Sequence, residues 1–177
     1  DNTRGPQFSN WYPGGELNIA HNAIDRHAAR GSGRRDEVAV VWEGEPGEVR
    51  KYTFNDLHRE SNRVANALEA HGVESGDAVG IFMPMLPETV SALYGCFKVG
   101  AIAVPVFSGF GTDAAAKRLE DAQCGLLLAA DGFYRRGSKV SLADVANEAI
   151  EDAGCVDKVI LMKRVGGNET ITATECR

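Results

Sequence analysis

Little in this sequence points to a membrane, a secretory route or a polyanionic partner. Aromatic residues make up only 7% of its 177 residues. No apolar window approaches the roughly 20 residues that a membrane-spanning helix needs. No charged leader followed by an apolar run opens the chain, so a cytoplasmic protein is expected, and the missing initial methionine suits a processed or truncated one. Acidic residues outnumber basic ones, 25 to 19, for a net charge of −6. A protein whose main partner is nucleic acid carries the opposite excess. The four cysteines, Cys96, Cys124, Cys155 and Cys176, are far apart in sequence and form no Cys-x-x-Cys pair. Neither a zinc site nor a disulfide framework is expected from such spacing, only isolated reduced thiols. His21 and His27, and His58 and His71, miss the three- or four-residue helical spacing of metal ligands. Internal repeats are missing, and so are the Gly-x-Gly-x-x-Gly and Gly-x-x-x-x-Gly-Lys-Ser/Thr signatures of nucleotide loops. No catalytic or metal-binding set is assigned.

What is present is apolar mass in a regular order. With 44% apolar residues the chain can bury one substantial core. An α/β unit is expected over 18–162, between an irregular lead-in at 1–17 and a polar tail at 163–177. Asn18 is placed to cap a helix carrying Ile19, Ala23 and Ile24. Val38–Trp42 and Arg50–Thr53 flank the turn-prone Gly44-Glu45-Pro46-Gly47 and predict a hairpin. Thr53 with Asp56 reads as a capping box opening a helix, whose face is Leu57, Ser61, Val64 and Leu68 and whose stop is Gly72. Strands follow at Ala78–Phe82, Ala101–Val106, Gly125–Ala130 and Lys158–Met162. Between them lie helices with Pro87 at a first turn and Val90, Leu93, Tyr94 and Phe97 as the expected buried stripe, then Thr112–Ala122, then one opened by Ser141 and Asp144. The order predicts an α/β fold: a mainly parallel sheet with helices on both faces, preceded by a helix and a β-hairpin.

Ligands of open α/β sheets gather at loops after the carboxyl ends of strands. Three such loops are readable and belong at one edge of the sheet: Met83–Pro87, Phe107–Thr112 and Asp131–Lys139. Gly109 and Gly111 would let backbone approach a ligand, or simply punctuate a turn. Arg135, Arg136 and Lys139, with Phe133 and Tyr134 beside them, suit a phosphorylated, base-bearing ligand through bidentate guanidinium contacts and stacking. The same composition also suits a solvated basic tip. Trp11 and Trp42 read most simply as packing residues.

Five segments are similar in order and content to the acetyl-CoA synthetase branch of the adenylate-forming enzymes. They are Trp11-Tyr12-Pro13-Gly14-Gly15-Glu16-Leu17-Asn18 with Asp25-Arg26-His27, Val41-Trp42-Glu43-Gly44-Glu45-Pro46-Gly47-Glu48, Met83-Pro84-Met85-Leu86-Pro87-Glu88, Val106-Phe107-Ser108-Gly109-Phe110, and Ala130-Asp131-Gly132 through Lys139. The resemblance implies the N-terminal part of an AMP-forming acyl-CoA synthetase. Such an enzyme joins a carboxylic acid to coenzyme A with ATP and Mg²⁺ through an acyl-adenylate. It implies that Arg135 meets the nucleotide end of coenzyme A, with Gly137 after it and Phe107 and Gly109 beside the pantetheine arm. Where the family has a second arginine this chain has Ser138 then Lys139, which passes the second cation to Arg136 or Lys139. Ser108 replaces a common glycine, so the identity of the acid is not carried over. The family's Thr/Ser/Gly-rich phosphate loop and its C-terminal catalytic lysine are missing, so the chain alone is expected to be inactive. A stand-alone nucleotide- or coenzyme A-binding module and a non-catalytic interaction domain are the alternatives.

Overall fold

The computed structural model describes residues 3–166. Most of the polar tail expected at 163–177 therefore lies outside the described residues. Asn18 opens the first helix as expected: its Oδ1 accepts the Ala20 N–H at 2.9 Å, while its Nδ2 donates to the Phe97 carbonyl 2.7 Å away. After the helical Ile19 and Ala20 the helix passes through a π-helical turn, His21–Asp25, in which Arg26 N–H reaches back to the His21 carbonyl, and continues as α1 (Arg26–Ala28). Asp25, in that turn, accepts hydrogen bonds from His58 Nδ1 at 2.7 Å and Lys98 Nζ at 2.5 Å. Burial opposes ionisation of this carboxyl, but the bonds and charge of Lys98 and His58 outweigh burial and hold its pKa below the ordinary value. The contacts pin the first helix to the two that follow.

Strands β1 (Val38–Glu43) and β2 (Val49–Thr53) pair antiparallel as the expected hairpin. Its turn closes through Gly44 N–H to Glu48 O and Gly47 N–H to Gly44 O, each 2.8 Å. Helix α2 (Phe54–Ala70) starts on the capping box: Thr53 Oγ1 accepts from Asp56 N–H at 3.1 Å, and Asp56 Oδ2 accepts from Thr53 N–H at 3.0 Å. The remaining elements are β3 (Ala78–Phe82), α3 (Pro87–Val99), β4 (Ile102–Pro105), α4 (Thr112–Ala122), β5 (Leu126–Ala130), β6 (Gly132–Arg135), β7 (Ser138–Ser141), α5 (Ala143–Ala153) and β8 (Lys158–Met162).

Four strands form one sheet, all parallel, in the order β4-β3-β5-β8. The alternation along β5 sorts the core into two halves. Leu126, Leu128 and Ala130 face a cluster with Leu68 of α2 and Ala92 and Cys96 of α3. Leu127 and Ala129 face the other way, into Ala115 and Leu119 of α4 and Ala146 and Ile150 of α5. Helices thus cover both faces, as the near-continuous apolar strands require.

Two local expectations are corrected. Val90, Leu93, Tyr94 and Phe97 are only partly buried, and the buried face of α3 is Ser91, Ala92, Gly95 and Cys96. The cause is close packing against α2: a Cβ on Gly95 would stand 2.5 Å from Val64 Cγ1. Small side chains therefore fill the contact, and the large ones lie along its flanks. The segment read as the loop Asp131–Lys139 is in large part a β-hairpin, β6 paired antiparallel with β7. Its two-residue turn, Arg136-Gly137, takes positive φ at both positions, 54° and 77°. Paired positive φ values match the right-handed twist of the flanking strands.

Candidate functional site

The chain leaves β3 toward β4 on one side and leaves β5 toward β8 on the other, so the connections diverge between β3 and β5. Such a switch point opens a crevice beyond the carboxyl ends of the strands. A cleft of about 220 Å³ occupies this edge, lined by Pro84, Met85 and Leu86 after β3, Ser108 after β4, and Phe133 and Tyr134 after β5, with Trp42 and Arg164 completing it. The three loops expected at one edge are brought together.

Trp42 reaches the cleft from β1. Its Nε1–H donates to the Met85 carbonyl at 2.8 Å and so ties the outlying hairpin to the loop after β3. The Arg50 guanidinium lies 4.4 Å from the Trp42 ring centroid and is bonded to Glu88 at 2.6 Å and to the Tyr52 hydroxyl at 3.2 Å. Arg164 sits near two rings, 5.3 Å from Trp42 and 5.0 Å from Tyr134, and forms an ion pair with Glu48. Partial burial pushes the Glu48 pKa up, but the Arg164 bond and charge prevail and hold it below the ordinary value. Cation–π contacts of this kind brace the wall.

Arg164 owes its position to Asp131, whose carboxylate is 1% exposed. Asp131 Oδ1 accepts the N–H groups of Arg164 at 2.6 Å and Val165 at 3.0 Å, and Oδ2 accepts that of Gly166 at 2.9 Å. The Asp131 backbone bonds Met162 O and Leu142 N–H, each at 3.0 Å. One residue thereby fixes the root of the β6–β7 hairpin and the path of the chain after β8.

The residues singled out in the sequence take distinct places. Arg135, Arg136, Gly137, Ser138 and Lys139 form the exposed tip of the β6–β7 hairpin. Gly137 N–H donates to Glu45 Oε1 at 2.7 Å, and Lys139 Nζ donates to the Val165 carbonyl at 2.8 Å. Among the described residues neither Arg135 nor Arg136 has an ion-pair partner. Phe107 is 64% exposed and packs edge-on against Phe110, with ring centroids 5.5 Å apart. Gly109 makes room for that fold: a Cβ there would lie 2.5 Å from the Phe107 ring. The hairpin meets the cleft through Phe133 and Tyr134, and the Phe107–Gly109 segment meets it through Ser108. None of the seven residues lines it directly. Arg164, Trp42 and Asp131 escaped the sequence reading as site residues. Asp131 alone carried a signal, a carboxylate set directly after a wholly apolar strand.

Apolar and aromatic walls, with Arg135 and Arg136 on the adjoining hairpin lacking an ion-pair partner among the described residues, suit a ligand with a planar base and anionic groups. The cleft lining contains no histidine or cysteine to pair with Ser108 as nucleophile or base. No group of three or more metal-ligating side chains occurs among the described residues.

Residues 26–176 match the family described as AMP-binding enzyme. The chain belongs to this family. Within it, the chain is similar to the acetyl-coenzyme A synthetase of Deinococcus radiodurans, 47% identical over 156 residues, which cover 88% of this chain and 24% of the relative. It is 44% identical to that of Streptomyces coelicolor over 161 residues and 43% identical to that of Methanothrix thermoacetophila over 162, each match covering 91% of this chain and 24% of the relative. The chain of this AMP-binding enzyme family member thus spans about a quarter of the length of these curated relatives. No helix among the described residues is long and apolar enough to cross a membrane.

Proposed function

We propose that this chain forms the N-terminal, coenzyme A-side part of an AMP-forming carboxylate–CoA ligase of the acetyl-CoA synthetase kind. The observation that carries the reading is the β6–β7 tip, where Arg135 and Arg136 present two guanidinium groups with no ion-pair partner among the described residues. A nucleotide bearing phosphates is the ligand such groups bind best. In this reading Arg135 takes the phosphates at the nucleotide end of coenzyme A, and Arg136 supplies the second cation, because Lys139 is committed to the Val165 carbonyl. Gly137 keeps the tip narrow, and Phe107 and Gly109 flank the pantetheine arm. The names of the relatives support this choice of ligand.

The whole ligase would activate a carboxylic acid with ATP and Mg²⁺ and pass the acyl group to the coenzyme A thiol. Adenylation needs phosphates and metal clamped in place. The sequence holds no Thr/Ser/Gly-rich phosphate-clamping loop. Adenylation in this proposal therefore falls to other residues of the ligase, and the 177-residue chain by itself catalyses no ATP–pyrophosphate exchange.

Titration of the chain with coenzyme A and with 3′-dephospho-coenzyme A tests the reading. Coenzyme A should bind the more tightly, and Arg135→Ala should weaken it about tenfold or more, the effect of losing one charge-assisted contact. Equal affinity of Arg135→Ala and the parent chain, or no binding of either ligand, overturns the assignment.

A further inference from the structure

Away from the cleft, the exits of α4 and α5 converge at the opposite edge of the sheet. α4 ends at Gln123 and α5 at Gly154, both in left-handed backbone, φ 53° and 63°. A cysteine follows each, Cys124 and Cys155. The pairing of β5 with β8 runs back through these exits, since the N–H groups of Asp157 and Lys158 both donate to the Gly125 carbonyl, at 3.0 and 3.3 Å. A single acceptor joins the two cysteines. The Leu119 carbonyl takes the backbone N–H of Cys124 at 3.0 Å and the Sγ–H of Cys155 at 3.3 Å. Both are free thiols, Cys124 fully buried and Cys155 partly exposed. Burial pushes the Cys124 thiol up to about 11, and the charge of an ionised Cys155 pushes it the same way. Cys96 lies apart, in the core on the other face of the sheet.

We propose that Cys124 and Cys155 form a dithiol modification site that a hydroperoxide converts to an intramolecular disulfide. Cys155, the more accessible, gives up its proton, and its sulfur attacks the peroxide O–O bond. A sulfenic acid forms at Cys155 and one water leaves. The Cys124 sulfur then displaces the hydroxyl from Cys155, and its own proton departs with that hydroxyl as a second water. Two thiols lose two electrons and two protons, and hydrogen peroxide is reduced to two waters. Only thiolates react this way, so the raised pKa values make the step slow at neutral pH and faster in alkali. The bond closes a ring that contains β5, the β6–β7 hairpin and α5, and such a ring restricts the unfolded chain.

Hydrogen peroxide treatment of the 177-residue chain at mildly alkaline pH, followed by alkylation in denaturant and tryptic digestion, gives the test. Peptides 119–135 and 140–158 carry Cys124 and Cys155 separately. They should appear joined, lighter by two hydrogens than their sum, and separate again on reduction. In Cys155→Ser the joined species should be absent. The oxidised parent should melt several degrees higher than the reduced one, and Cys96→Ser should leave that rise in place. Cross-links only through Cys96 or Cys176, or sulfinic acid at Cys155 with Cys124 still alkylated, overturn the proposal. The parent chain's own peptide map decides the matter even if Cys155→Ser does not fold.

Discussion

At the scale of single residues, two aspartates hold structure by accepting backbone hydrogen bonds. Asp56 accepts from Thr53 through side chain and backbone, and these bonds, stronger than the opposing burial, hold its pKa below the ordinary value of 3.8. A carboxylate with a depressed folded pKa adds stability that is full above the unfolded value and lost as pH falls through the folded one. The urea midpoint should therefore drop below about pH 4 more steeply in the parent than in Asp56→Asn. Thr53→Ala should cost about 1 kcal/mol by the same urea measurement, and Thr53→Ser much less. Asp131→Ala leaves three N–H groups of residues 164–166 without their acceptor, at a cost of about 2–3 kcal/mol. The capping box was legible because both its members sit three residues apart. The role of Asp131 was not, because its partners lie more than thirty residues away.

At the scale of elements, the strands and helices of the sheet were legible from period alone. Apolar runs of strand length alternate with helical spacing, and the capping and stop residues agree with them. What escaped were features set by contact between elements. The buried face of α3 could not be read from hydrophobicity, since Gly95 is buried only because α2 comes so close. Gly95→Ala should destabilise the chain by about 1–3 kcal/mol, the usual result of forcing a methyl group into a filled interface. A shift in the guanidinium chloride midpoint with unchanged slope would show it, and an unchanged midpoint would mean that α2 moves aside freely. The β6–β7 hairpin escaped for another reason. Its strands have four residues each, and its turn seats an arginine at positive φ, where asparagine, aspartate or glycine is the usual signal.

At the scale of the whole molecule, the β1–β2 hairpin is not part of the main sheet but is clasped to the carboxyl edge of its strands. Trp42 holds Met85, Arg50 holds Glu88, Glu45 holds the amide of Gly137, and Glu48 holds Arg164. These partners are spread from residue 85 to residue 164, so no window of sequence reveals the clasp, and Trp42 reads there as packing alone. Trp42→Phe keeps the ring and removes the N–H donor. It should cost about 1 kcal/mol in global stability. Under the proposed function it should also lower affinity for coenzyme A, by loosening the wall of the cleft. Loss of stability without any change in coenzyme A titration would separate the clasp from the proposed coenzyme A site.

The central strand β5 is buried along its full length and bonded to a neighbour on each side. Its amide hydrogens can meet solvent only when the whole sheet opens. In deuterium oxide they should be among the last to exchange, at a rate set by global unfolding, while the amide of Arg136 at the exposed turn exchanges early. Exchange resolved residue by residue over 126–137 should therefore split into a slow strand and a fast turn. The boundary between them falls after Asp131, where the buried strand gives way to the exposed hairpin.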